Sequence, residues 1–407
     1  NTDWSDADNW TCTTAPTNNC LTPLGSDIAI IPAGTVLAPV ITGTQGAVSL
    51  EVGVGSSITI DGTLQICGNV MHNGNSFTGA GDLELNGTAT QMLSGNGAFG
   101  MVELNNAAGA SVMASASLSV DTALILTAGT FTNNGSFSLN SALGGTAFLD
   151  DFTPTSLGSY VGDLTVNRYV TDGFAGGLGQ RYFGSAVSGS VASGLDNTYT
   201  GYPVNAFIIP LASCNPDTID PASPYSNLME WREDAPFPTS CVQEGWWALS
   251  TSSTNLMQGR GYSGWMTNGS TVSVTGAPNT GGQSFGVTNS VSNTTVSQGW
   301  HVLSNPYPSP MNVDAVTLGS ALSSPQYYNS ASGAWSGTFQ PVLIAGAEIP
   351  VMQGFTAFSV GAGTYTPSDA YRVASTNANF AKSTSWFDYR LDIEVNVGGN
   401  GDITYLY

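Results

Sequence analysis

The sequence predicts an all-β protein: a β-solenoid-like repeat region, then an aromatic-rich β-sandwich domain, then a C-terminal hairpin. Three observations predict it. Amphipathic helical stretches are nearly absent; the best, VDAVTLGSALSS over 313–324, is short and interrupted by Gly. Short apolar-polar-apolar segments recur through 48–148 between turns rich in Gly, Asn and Ser. After about residue 150 aromatic residues become dense and loops lengthen.

The repeat region comes first. The segments are LEV (50–52), ITI (58–60), LQI (64–66), LEL (83–85), VEL (102–104), LSV (118–120), LIL (124–126) and FSL (137–139). LEL and VEL start 19 residues apart, at 83 and 102, and LSV and FSL again 19 apart, at 118 and 137. A period near 20 with short strands is the mark of a solenoid, in which each coil buries its inward residues only against its neighbours. Asn and Gly at the corners accept the left-handed angles that a coil needs. The rival is a sandwich of consecutive hairpins, which calls for longer strands than these.

The stretch LDDFTPTSLGSY (149–160) reads as a linker. Beyond it, Tyr169, Phe183, Trp231, Trp246, Trp247, Trp265, Trp300, Tyr307, Tyr327, Tyr328 and Trp335 suit two sheets sharing an aromatic core. RLDIEVNV and DITYLY flank a GGNG turn as a hairpin. The expected domains are 1–150, 151–380 and 381–407. The last is read as the possible start of a further module, because ending on YLY implies that the natural chain continues. The opening NTDWSDADNW reads as a mature N-terminus or an excised piece.

Composition narrows the function. Charged residues make up 9% of the chain, against about 25% in ordinary soluble proteins, so Gly, Ser, Thr and Asn must cover the surface. Seven cations against 28 acids give a net charge of −21. No basic patch can form, which excludes nucleic acid and disfavours anionic membrane surfaces. No run of 18 apolar residues exists to insert in a membrane. Of five cysteines, Cys12 with Cys20 and Cys214 with Cys241 bracket loops at spacings that suit local disulfides, hence an oxidising compartment. Cys67, in the run LQIC, reads as a small buried hydrophobe.

Several segments resemble the multidomain surface proteins of Bacteroidetes exported by the type IX secretion system. Trp4 and Trp10 around SDADN, with GSDIAIIPAG (25–34) after them, resemble the start of their solenoid regions. GDLTVNRYV (162–170) with RYFGSAVSG (181–189) resembles the segment on the C-terminal side of the solenoid. GWHVLSNPYPSPMN (299–312) with IPVMQGFTAFS (349–359) is the most specific match. EGWWALS (244–250) with LMQGRGYSGW (256–265) looks like a degenerate first copy of that pair. The family's C-terminal sorting domain is not among these residues and is expected either to be cleaved or to lie beyond residue 407. The resemblance implies export, an extracellular cell-surface location, and adhesion or appendage building.

Chemistry is hard to assemble from these residues. A Ser–His–Asp triad needs a histidine, and the two present, His72 and His301, read as ordinary strand or turn residues with no GxSxG elbow. Glu233/Asp234 and Asp150/Asp151 are adjacent carboxylates, which point to opposite faces of a strand and read as solvated loop charges. A lyase on a β-helix needs a basic residue, and 48–148 holds no Lys or Arg. Asp3, Asp6 and Asp8 suit a structural calcium ion, the one cofactor the sequence suggests. Trp247, Tyr328 and Trp335 are candidates for stacking on glycans, with core packing as the competing role. The scarce arginines read as internal clamps. The expectation is a non-catalytic structural or adhesive protein, with no catalytic residue assigned, whose partners are other copies or neighbouring modules, or glycans on host or prey surfaces. A carbohydrate-binding module ranks second and a polysaccharide-active enzyme third.

Overall fold

The computed structural model describes residues 2–6, 9–10, 27–170, 178–195, 228–233, 245–249, 253–267, 269–290, 298–314, 322–323, 325–329, 338–341, 347–376, 391–397 and 400–406. The chain is all-β, and its first part is a β-solenoid of about 6 turns.

Two long parallel ladders form the walls of the solenoid. One runs through Ile28–Ile31, Ser49–Val52, Val70–His72, Gln91–Gly95, Ala110–Val112, Thr130–Asn133 and Ser159–Val161. The other runs through Thr44–Ala47, Thr63–Ile66, Asp82–Leu85, Ala98–Asn105, Ser117–Ala128, Ser136–Leu139 and Leu164–Val170. A short third side pairs Val40–Ile41 with Thr59–Ile60. The 19-residue period is explicit in the register, since Thr44 faces Thr63, Thr63 faces Asp82, and Asp82 faces Met101. Period-2 alternation turns Leu64, Ile66, Leu83, Leu85, Val102 and Leu104 inward, where all are buried. Each such residue contributes about 1.5–3 kcal/mol of burial.

Outward residues bond to their counterparts one coil on. Thr59 and Thr78 share a 2.9 Å hydrogen bond, Thr63 Oγ1 donates to Asp82 at 3.0 Å, and Gln65 Nε2 donates to Glu84 at 2.7 Å. One corner is a column of glycines. A Cβ on Gly62 would lie 2.0 Å from the Gly43 carbonyl oxygen, and one on Gly81 1.9 Å from that of Gly62. Only glycine lets successive coils approach so closely. Cys67 is exposed, contrary to the buried reading. The alternation that buries Leu64 and Ile66 turns Gln65 and Cys67 outward, and the Cys67 thiol meets Asn86 Oδ1 at 3.4 Å.

The core of the stack is covered at both ends. At the start, Trp4 is buried and Trp10 packs edge-on against it at 4.7 Å, its Nε1 donating to the Trp4 carbonyl. The pair plugs the open core, and the Trp4 backbone extends the short third side by donating to the Val40 carbonyl. At the far end, Leu164–Val170 pairs antiparallel with Ser270–Pro278, which breaks the parallel progression.

Beyond the solenoid lie two four-stranded antiparallel sheets with one strand order. The first runs Leu178–Phe183, Tyr262–Thr267, Leu228–Trp231, Trp246–Ala248. The second runs Trp300–Ser304, Gly354–Phe358, Gln326–Asn329, Thr338–Pro341. Each places its first, fourth, second and third strands side by side, so the chain repeats one arrangement twice. Half of the expected motif correspondence holds, since LMQGRGYSGW (256–265) and IPVMQGFTAFS (349–359) each lead into a fourth strand, Tyr262–Thr267 and Gly354–Phe358. The other half is corrected: among the described residues Trp246–Ala248 is a third strand and pairs only with Leu228–Trp231, whereas Trp300–Ser304 is a first strand. The counterpart of Trp300–Ser304 is Leu178–Phe183. The terminal strands Leu391–Val397 and Asn400–Leu406 form the expected hairpin.

Candidate functional site

The two most specific sequence motifs meet. Asn305, fully buried, opens the NPYPS turn, and its Nδ2 lies 2.8–3.1 Å from the carbonyls of Ser309, Ile349 and Pro350. Its Oδ1 accepts from the Tyr307 N–H at 2.9 Å. One amide thus closes its own turn and holds the segment leading into MQGF. Met352 takes a left-handed φ of 60° there, the one non-glycine residue of that kind among those described. The turn delivers backbone to the neighbouring sheet, with the Gly184 N–H donating to the Met352 carbonyl at 3.0 Å. Gly354 must be glycine, because a Cβ would lie 2.6 Å from the Tyr182 carbonyl carbon.

The same junction grips the last coil. The Leu149 N–H donates to the Pro308 carbonyl. The buried Arg372 donates to Ser309 Oγ at 2.8 Å and to the Leu149 carbonyl at 3.1 Å, and lies 2.7 Å from Asp151 and 3.1 Å from Asp369. Burial raises the Asp151 pKa, and the guanidinium charge pulls it down against that rise. The Phe152 and Tyr307 rings lie 4.3 and 5.0 Å from the guanidinium carbon. Here the internal-clamp reading of the arginines is realised. Arg260 and Arg232 share the Glu230 carboxylate in a second cluster.

The candidate carboxylates are not solvated, which corrects the sequence reading. Glu233 is buried and accepts from Thr288 Oγ1, Ser290 N–H, Ser290 Oγ and Gly299 N–H at 2.6–2.9 Å. Burial alone would raise its pKa, but these donors bring it below the ordinary value. Asp150, also buried, receives the Thr153 N–H and hydroxyl while Asp151 turns to Arg372. The neighbours do part to opposite sides, but both are employed. Asp234 lies outside the described residues.

The histidines are packed groups. His72 is buried between Phe77 and Phe99, with ring centroids at 4.3 and 4.9 Å. Its Nε2 meets the Ala98 carbonyl and its Nδ1 accepts from the Gly74 N–H, which suits the neutral ring, and burial lowers its pKa. His301 is buried with Nε2 against the backbone of Thr288.

Of the calcium candidates, Asp3 closes a turn, its Oδ1 accepting from the Ser5 N–H and hydroxyl at 2.9 and 2.7 Å. The Asp6 N–H donates to the Asp3 carbonyl, and Asp8 lies outside the described residues. Among the described residues no three His, Cys, Asp or Glu side chains converge to hold a metal. Of the glycan candidates, Tyr328 stacks on the buried Tyr182 at 5.3 Å and 22°, with the half-exposed Phe339 edge-on at 5.2 Å. Trp247 sits on Trp246–Ala248, its backbone opposite Glu230. Trp335, Cys12, Cys20, Cys214 and Cys241 lie outside the described residues.

Sequence reasoning missed the clasps of Asn305 and Glu233, and read Arg372 as an internal clamp without naming its partners. A signal existed for Asn305 alone, in the NPYPS string. No protein-family model, curated protein or solved structure matches the chain.

Proposed function

We propose that this chain is a non-catalytic structural or adhesive component of a bacterial cell surface, exported by a type IX route and working alongside other copies or neighbouring modules. One observation carries the reading. The described ionisable groups at the junction are consumed in internal clasps, while the solenoid presents ladders of Thr, Ser, Asn and Gln between coils. Such a body is suited to bearing load and presenting area rather than to moving protons. Electron microscopy of the purified chain tests it: ordered polymers or dense coats on a surface are expected, and dispersed particles that adsorb to nothing would overturn it.

A carbohydrate-binding role is the second reading, favoured by the half-exposed Phe339 beside Tyr328. A glycan array separates the two, since saturable binding lost in Phe339→Ala belongs to the second reading alone.

A further inference from the structure

Among the described residues the first coil has a sheet edge with no strand beside it. Among the described residues Ile28–Ile31 pairs on one side only, with Ser49–Val52. On that side the carbonyls of Asp27 and Ile31 accept from the N–H groups of Val48 and Gly53. Backbone groups alternate along a strand, so those of Ile28 and Ile30 turn to the other edge. Their side chains are 58% and 45% exposed, and Val36, Leu37 and Val54 at the next corner are 94%, 62% and 68% exposed. Natural edges are normally blunted by Lys or similar charges. This strand has none, and no Lys or Arg precedes Arg168 in the chain.

A matching element exists in the same chain. The hairpin Leu391–Val397 with Asn400–Leu406 is a two-stranded sheet that pairs only with itself among the described residues. Two strands alone are marginal in water and gain from a third. Its first strand alternates Leu391, Ile393, Val395 and Val397 with Asp392, Glu394 and Asn396, the period-2 pattern of a strand with one apolar side. Ile28 and Ile30 offer the same apolar spacing from the other edge.

We propose that Leu391–Val397 of one copy adds as a strand to the Ile28–Ile31 edge of the next, giving a head-to-tail contact. Strand addition supplies main-chain hydrogen bonds for affinity and alternate side chains for register. The contact is heterologous, so it propagates into an open chain unless the rotation closes it into a ring. This inference rests on the structural reading above and specifies its partner, a second copy.

Sedimentation velocity over a concentration series tests it. The wild type is expected to grow by mass action. Ile30→Lys, which puts a charge on the edge, and deletion of 391–407, which removes the donor, are each expected to stay monomeric with the wild-type melting temperature. Their equimolar mixture is expected to give one-to-one dimers and nothing longer, because each variant keeps the surface the other lacks. If Ile30→Lys melts early, Ile28→Lys replaces it. Growth of either variant like the wild type, a mixture that stays monomeric, or a monomeric wild type at every concentration overturns the assignment. A wild type that polymerises together with both variants overturns this contact alone and leaves the structural reading standing. A wild type that neither polymerises nor coats a surface removes both.

Discussion

The solenoid and the junction beyond it solve the same problem by opposite means. In the solenoid, each residue's partner sits one coil away, at a separation of 19 to 29 positions, and the cohesion is aliphatic burial plus a parallel ladder. No cation precedes Arg168. At the junction there is no repeat to lean on. Glu233 bonds to Ser290 across 57 positions, and Arg372 to Leu149 across 223. Irregular backbone has to be satisfied by whatever side chain can reach it, so buried amides, carboxylates and guanidinium groups appear there. Periodicity lets a chain dispense with cations; irregularity makes a few of them indispensable.

Stability measurements on variants break or sharpen that contrast. The largest effect is expected from Arg372→Ala, which leaves Asp151 buried without its cation and should cost about 3–5 kcal/mol, read as a lower denaturation midpoint. In the solenoid, Leu83→Ala should cost about 2–5 kcal/mol as a cavity. If the regions are held independently, the double variant should be additive within about 0.5 kcal/mol. Asn305→Ala removes a fully satisfied buried amide and should cost about 1–3 kcal/mol. Asn305→Asp should be no better, because a carboxylate cannot donate to the Ile349 and Pro350 carbonyls.

The pH responses should also separate. The Glu233 pKa is lowered in the fold, so its contribution is present above the unfolded value near 4.5 and is lost as pH falls through that region. Glu233→Gln should flatten that acid limb of the melting curve. His72 is a base whose pKa is lowered. Its contribution is therefore complete above about 6.5 and erodes as pH drops below, where the unfolded state binds the proton more readily. His72→Gln should flatten the dependence below about pH 6.5. The smallest effect is expected on the outer surface, where Thr63→Val should change stability by less than about 0.5 kcal/mol.

The solenoid is legible because the period is written into LEL and VEL, and period-2 alternation decides which residue points inward. Legibility fails where the written pattern stops. The ladders extend to Ile28–Ile31 and to Ser159–Val161, whose strings repeat nothing between 48 and 148. Cys67 misleads because LQIC looks like an apolar run until the alternation is applied. The clasps are opaque for a different reason: nothing near Glu233 in the chain announces Ser290 or Gly299. The shared strand order of the two sheets is marked in the strings only by LMQGR and VMQGF, which lead into the fourth strands, and EGWWALS resembles GWHVLS while occupying another place.

The glycine column at Gly43, Gly62 and Gly81 carries a last consequence. Because those corners stack backbone on backbone, inserting one whole 19-residue unit between two others would add about 4.8 Å of length and leave the tryptophan plug and the arginine clamp untouched. The rod is in effect modular, with a reach that inheritance can adjust in fixed steps by duplication in the gene, while a few extra residues are absorbed within a coil, as in the 23-residue step from Val70 to Leu93.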